Sequence, residues 1–134
     1  MRHLWLAGLL GLVAAPAAAQ TAWSPFAEAD VVRIVTQDAG GAERDTPIWL
    51  VVVEGAAYVR TNDSRWLANI RRGSRVALRL DETTRVVSAE EVRDPDVTVQ
   101  VEEAYKQKYG FVQRVMSALR LREPTVLRLR PTAS

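Results

Sequence analysis

Arg60 and Thr61 close one β-prone stretch, and Ser64 and Arg65 open the helix-prone stretch that follows. A strand end meeting a helix start leaves free N–H groups and the positive end of a peptide dipole side by side. Guanidinium groups placed there can grip a phosphate with two hydrogen bonds each, every charge-assisted bond contributing on the order of 1.5 to 3 kcal/mol when partly shielded. Anion binding is therefore the chemistry these four residues suggest. Trp49 and Trp66 could add a flat wall for a ring system, and Asn69 lies one helical turn beyond Arg65. Each has a plainer role available. Trp49 sits in an apolar run and suits the core, Trp66 and Ile70 suit the anchoring face of a short helix, and Asn69 equally suits its surface.

Other chemistries are closed off by composition. The only histidine is His3 and there is no cysteine, so the chain beyond its first residues lacks Ser-His-Asp and Cys-His catalysis, thiol redox work, disulfides, and zinc sites of imidazole or thiolate. Catalytic residues cannot be named, and no metal is expected. Any chemistry falls to carboxylates, hydroxyls, Arg, Lys and Tyr, or to a bound cofactor. Glu90-Glu91 and Glu102-Glu103 are adjacent pairs whose members point in different directions, so neither is an acid–base dyad. Tyr105 and Tyr109, one helical turn apart, could face a pocket or simply pack on a sheet. The formal charge of +2 argues against a general nucleic-acid binder, and Arg71, Arg72, Arg75 and Arg79 read as a solvated face.

The elements that must position these residues follow from pattern. Arg2, the apolar run 4–13 and Ala17-Ala18-Ala19 have the layout of a cleavable signal, so residues 1–19 are expected to direct export to the periplasm or the medium. The run is too short for a comfortable span, which needs about 20 apolar residues, and no later segment could cross a bilayer. Residues 20–30 form a lead-in that Trp23 and Phe26 could pin down, and 31–131 make one domain. Strands are expected over 31–37, over 43–53 as a central strand covered on both faces, and over 57–61, joined by turns at Asp38-Ala39-Gly40-Gly41 and Glu54-Gly55-Ala56 into a meander. A short helix follows over 65–72, then strands over 75–80 and 84–92. Asp94-Pro95-Asp96 starts a helix with Val97, Val101, Ala104, Tyr105 and Lys108 on or beside one face until Gly110. A second stretch gathers Phe111, Val112, Val115, Met116 and Leu119, and 125–130 suits an outer strand bounded by Pro124 and Pro131. The expected class is mainly β (α+β): a six-stranded antiparallel split β-barrel, with a short helix after strand 3 and a helical pair before the last strand.

RDTPIW at 44–49 and YVRTNDSRWLANI at 58–70, together with AYKQKYG at 104–110, carry a resemblance. They resemble the small split-barrel flavin-binding proteins of the pyridoxamine-phosphate-oxidase-like superfamily, which includes the deazaflavin-dependent nitroreductases, and within it an uncharacterised bacterial branch, the DUF2255-like proteins. The resemblance runs from about residue 31 to 131. It implies FMN or a deazaflavin in a cleft, with Arg44, Arg60, Thr61, Ser64 and Arg65 as phosphate contacts, and a homodimer that completes the site. On that reading the protein is a flavin- or deazaflavin-using oxidoreductase whose protein part holds and orients the cofactor. The alternatives are a non-catalytic exported module that binds an anionic small molecule, or a structural subunit of the envelope.

Overall fold

A computed structural model describes residues 22–120 and 124–132, so the expected signal and the first residues of the lead-in lie outside the described residues. The order is a 3-10 turn (Phe26–Glu28), β1 (Val32–Gln37), β2 (Glu43–Ile48), β3 (Leu50–Val53), β4 (Ala56–Thr61), α1 (Arg65–Arg71), β5 (Val76–Leu80), β6 (Thr83–Val92), α2 (Pro95–Arg120) and β7 (Thr125–Pro131). All strands join one antiparallel sheet in the order β2-β1-β5-β6-β7-β4-β3.

The two edge strands of this sheet are neighbours in sequence, separated only by Trp49. Trans peptide geometry keeps Ile48 and Leu50 within about 7 Å of each other at the Cα atoms. The sheet must therefore curl until its edges meet at that corner, which makes a split barrel. The expected class holds, with seven strands in place of six. The difference is local: the single strand expected over 43–53 breaks at Trp49, where Ile48 pairs with Val32 and Leu50 pairs instead with Val59. Two edge strands thus replace one central strand, the expected meander becomes two hairpins, and α1 follows the fourth strand.

Turn chemistry sets the hairpins. Glu54 and Gly55 both have positive φ, 49° and 84°, the geometry of a two-residue type I′ loop between Val53 and Ala56. Strand β7 also departs from expectation: it lies between β6 and β4 rather than at the outside. Pro131 stands at its last position, so the ladder loses no interior donor, and Leu127 and Leu129 can point inward while Arg128 and Arg130 point out.

Alternation produces two apolar layers. Ile34, Leu50, Val59, Leu78, Leu127 and their neighbours fill the barrel interior, and α1 closes one end with Trp66 and Leu67. On the outer face, Val51, Tyr58 and Val126 pack beneath Val101 and Tyr105 of α2. Helix α2 opens as expected, the Asp94 carboxylate accepting from Asp96 N–H at 2.9 Å and Pro95 in first position. Gly110, at φ 61° and ψ −135°, interrupts the helix where the two expected stretches meet. The apolar face expected for the second stretch concerns side chains outside the described residues.

The lead-in belongs to the core. Trp23 and Phe26 are among the largest fully buried side chains. Arg85 ties the segment down by donating to the carbonyls of Ala22 and Ser24, and its guanidinium lies 5.0 Å from the Phe26 ring centre. Phe26→Ala should lower the unfolding free energy by about 3 to 5 kcal/mol in urea titrations, a loss set by the cavity left in the barrel. A loss under about 1 kcal/mol would mean that the lead-in does not seal the interior.

Candidate functional site

The eight residues singled out by sequence go to three places. Arg44 and Asn69 join a polar cluster at the α1 end of the barrel. Arg44 lies opposite Thr36 in the β1–β2 ladder and donates to Asp38 through Nε at 2.7 Å and Nη2 at 3.0 Å. Asn69, 3% exposed, donates from Nδ2 to Thr36 Oγ1 at 3.0 Å and to Asp38 Oδ1 at 2.9 Å, and accepts from Arg72 at 2.9 Å. Hydrogen bonds from Arg44 and Asn69 hold the Asp38 carboxyl down to about 2. The Asp38 carboxylate and the Asn69 amide are thus both held by partners inside the fold. Trp66, next to it on α1, is buried in the barrel core.

Arg60 and Trp49 belong to the opposite, outer side of the sheet. Alternation along β4 sends Ala57 and Val59 inward, and Tyr58 and Arg60 outward under α2. The Arg60 side chain is 3% exposed; it pairs with Glu102 and lies 3.9 Å above the Tyr105 ring centre. Tyr105 donates to the Trp49 carbonyl at 2.7 Å, and Trp49 stacks on Tyr109 at 4.2 Å and 6°. Tyr109 in turn donates to the Asp30 carbonyl at 2.8 Å, and burial pushes its phenol up to about 12. Lys108 donates to the carbonyls of Leu50 at 2.7 Å and Ala27 at 3.1 Å, and burial lowers its ammonium from the ordinary value. Sequence reading saw these tyrosines as pocket or packing residues; they are a packed column with filled hydrogen bonds.

Thr61, Ser64 and Arg65 stay together at the rim, where β4 ends and α1 begins. Ser64 Oγ caps the helix by accepting from Leu67 N–H at 3.2 Å. Arg65 is exposed and makes no hydrogen bond or ion pair among the described residues. A hollow of about 460 Å³ lies along the same helix, lined by Asp63, Ser64, Leu67, Ala68, Arg71 and Arg72. A phosphate-bearing cofactor would thus find on this rim the exposed Arg65 guanidinium, whose charge reaches Asp38 only at long range, with Arg44 and Arg60 engaged elsewhere. Its ring would not find Trp49 or Trp66 beside that guanidinium, because one is stacked on Tyr109 and the other is buried. Among the described residues no cluster of carboxylates could hold a metal ion, and no helix is long and apolar enough to cross a membrane.

A second guanidinium escaped sequence reading. Arg128 lies opposite Tyr58 in the β4–β7 ladder and donates from Nε to the Tyr58 hydroxyl at 3.1 Å. The alternation in β7 marked it as outward, but not what stood across from it.

A curled antiparallel sheet with its edges meeting at one corner, a short helix over one end and a long helix on its outer face defines the split-barrel class. The chain belongs to a family within it: the model described as "Uncharacterized protein conserved in bacteria (DUF2255)" matches residues 24–129. No curated protein matches. Among solved structures, HutZ of Vibrio cholerae, described as a heme storage protein, superposes with a TM-score of 0.64 at 18% identity, over 87% of this chain and 92% of that one. An FAD-binding protein of Mesorhizobium loti does so with a TM-score of 0.63 at 14% identity, over 86% and 88% of the two chains. An F420-H2 dependent reductase gives 0.57 at 15% identity, over 75% and 94%. At these identities the likeness is one of fold.

Asn69→Ala should cost about 1 to 3 kcal/mol of stability, because it strands Thr36 and removes a partner from Asp38. The Asp38 carboxyl titrates lower in the folded chain than its ordinary 3.8, so its contribution is complete above that value and is lost as pH falls toward about 2. Asp38→Asn should flatten that limb in acid-unfolding curves. An unchanged limb would place the acid sensitivity in other carboxylates.

Proposed function

We propose that the protein binds a planar, anionic small molecule of the flavin class, FMN or a deazaflavin, with the Arg65 rim as its phosphate contact. The observation that carries this reading is the rim itself: Arg65 is exposed with no hydrogen bond or ion pair to its side chain among the described residues, it follows Ser64 at the start of α1, and Ser64 also lines a hollow along that helix. The fold likeness supports it, since the similar structures include a heme storage protein, an FAD-binding protein and an F420-H2 dependent reductase. The barrel interior is filled by side chains, so the ligand lies outside it. Ring contacts missing from the rim of one chain would come from a second copy, which makes a symmetric homodimer part of the proposal. When bound, a flavin would supply hydride or electron transfer; this chain's residues would bind and orient it.

One observation favours a second reading. Arg44 and Arg60 are both consumed by internal carboxylates, which suits a non-catalytic module that holds an anion without redox work. Both readings retain export through residues 1–19, checked by finding Gln20 as the first residue of protein recovered from outside the cytoplasm.

Titration of the purified protein with FMN and with a deazaflavin, followed by fluorescence quenching, should give saturable binding that Arg65→Ala weakens by roughly tenfold. Light scattering should show a dimer. Failure of both ring compounds to bind would remove the flavin reading, and binding that ignores the Arg65 substitution would move the site off the rim.

A further inference from the structure

Two arginines stand on the outer face of the sheet in matching surroundings, two ladder rungs apart. Arg60 of β4 lies opposite Val126, and Arg128 of β7 lies opposite Tyr58. Each guanidinium sits against a tyrosine ring, Arg60 at 3.9 Å from Tyr105 and Arg128 at 5.4 Å from Tyr58. Helix α2 runs over this face and gives Arg60 a carboxylate, Glu102. It sets no carboxylate within hydrogen-bond reach of Arg128, whose charge feels the Asp94 cap of the helix only at longer range. There the helix contributes Val97 and Gln100 to the wall of a groove of about 610 Å³, whose size falls in the usual range for small-molecule sites.

The donors of Arg128 are largely unspent. Nε serves the Tyr58 hydroxyl, and that is its only hydrogen bond among the described residues. Nη1 lies 3.8 Å from Glu90, beyond hydrogen-bond reach. Glu90 is held more closely by Arg130, which donates to it from Nε at 3.0 Å and pairs with it through Nη2 at the same distance. The Arg128 side chain is 25% exposed, so its terminal N–H groups are sheltered without being closed off. Val53, Ala56, Val97 and Leu129 give the groove an apolar lining around that head group.

We propose that this groove binds a small monocarboxylate with an apolar body, its carboxylate taking beside Arg128 the place that Glu102 takes beside Arg60. A single negative charge is specified by the neighbours: of the two arginines lining the groove Arg130 is paired with Glu90, and Glu54 in the same wall repels a dianion such as a phosphate monoester. The groove lies toward the β3–β4 turn, whereas Arg65 lies past the other end of β4, so this site is separate from the proposed flavin rim.

The test uses 2-naphthoate as probe and neutral 2-naphthamide as its comparator, titrated into the full chain and followed by calorimetry. Naphthoate should bind saturably and more tightly than the amide. Arg128→Gln should weaken it by roughly tenfold or more. Gln100→Glu, an exposed change that keeps the arginine, should weaken it comparably by supplying the missing carboxylate from the helix. Arg65→Ala should leave it unchanged, and FMN titrations should ignore both groove substitutions. No binding of naphthoate, equal binding of the amide, or unchanged affinity in Gln100→Glu would each overturn the site, whatever the fate of the flavin reading.

Discussion

The single residue between β2 and β3 governs this structure. Because Trp49 alone joins the two edges of a seven-stranded sheet, the sheet has no open-sheet solution: Ile48 ladders with β1 and Leu50 with β4, at opposite ends of the strand order. Closing a sheet onto itself buries one face completely and leaves edges only where the two strands diverge. Everything that packs on the barrel answers one of those two facts.

The divergent edge carries backbone groups that no strand can satisfy. At Leu50 the solution is side chains from α2: Tyr109 accepts from the Leu50 N–H at 3.3 Å, and Lys108 donates to its carbonyl at 2.7 Å. The same lysine reaches the Ala27 carbonyl, and Tyr109 reaches that of Asp30, so the cap on the edge also fixes the lead-in. Trp49 itself is held at the corner by stacking on Tyr109 and by the Tyr105 hydroxyl on its carbonyl. A run of aromatic and cationic residues that could serve a ligand is thereby absorbed in closing the barrel. Buried polar groups demand partners, and here the demand is local and severe.

Much of the fold was legible in the residues. Ser64 and Asp94 mark helix starts, Gly110 marks the interruption of α2, and Glu54-Gly55 marks a hairpin, each because a cap or a positive φ needs a narrow set of residue types. The break at Trp49 was not legible. An apolar run of 48–53 reads as one strand when nothing in it is a turn former, and the change of ladder partner is a tertiary fact. The end prolines of β7 suggested an outer strand, although only an interior proline costs the ladder a donor. For the candidate site, alternation along β4 could tell that Arg60 and Val59 face opposite ways. It could not tell that Arg44 would meet Asp38 or that Glu102 would lie above Arg60, since those partners are distant in sequence.

The fates of the arginines follow from what each can reach. A guanidinium on the sheet face under α2 is desolvated, and it is tolerable only with a carboxylate or a ring beside it. Arg60 has both, and its charge is spent on holding the helix to the sheet. Arg44 is equally spent, at the barrel end, on Asp38. Recognition of anything outside the chain therefore falls to cations whose donors the fold leaves over. Those stand at the rim and in the groove, because the interior is packed with apolar side chains. A barrel of this size filled by its own core binds on its outside, and which guanidinium donors it leaves unspent decides what it can hold.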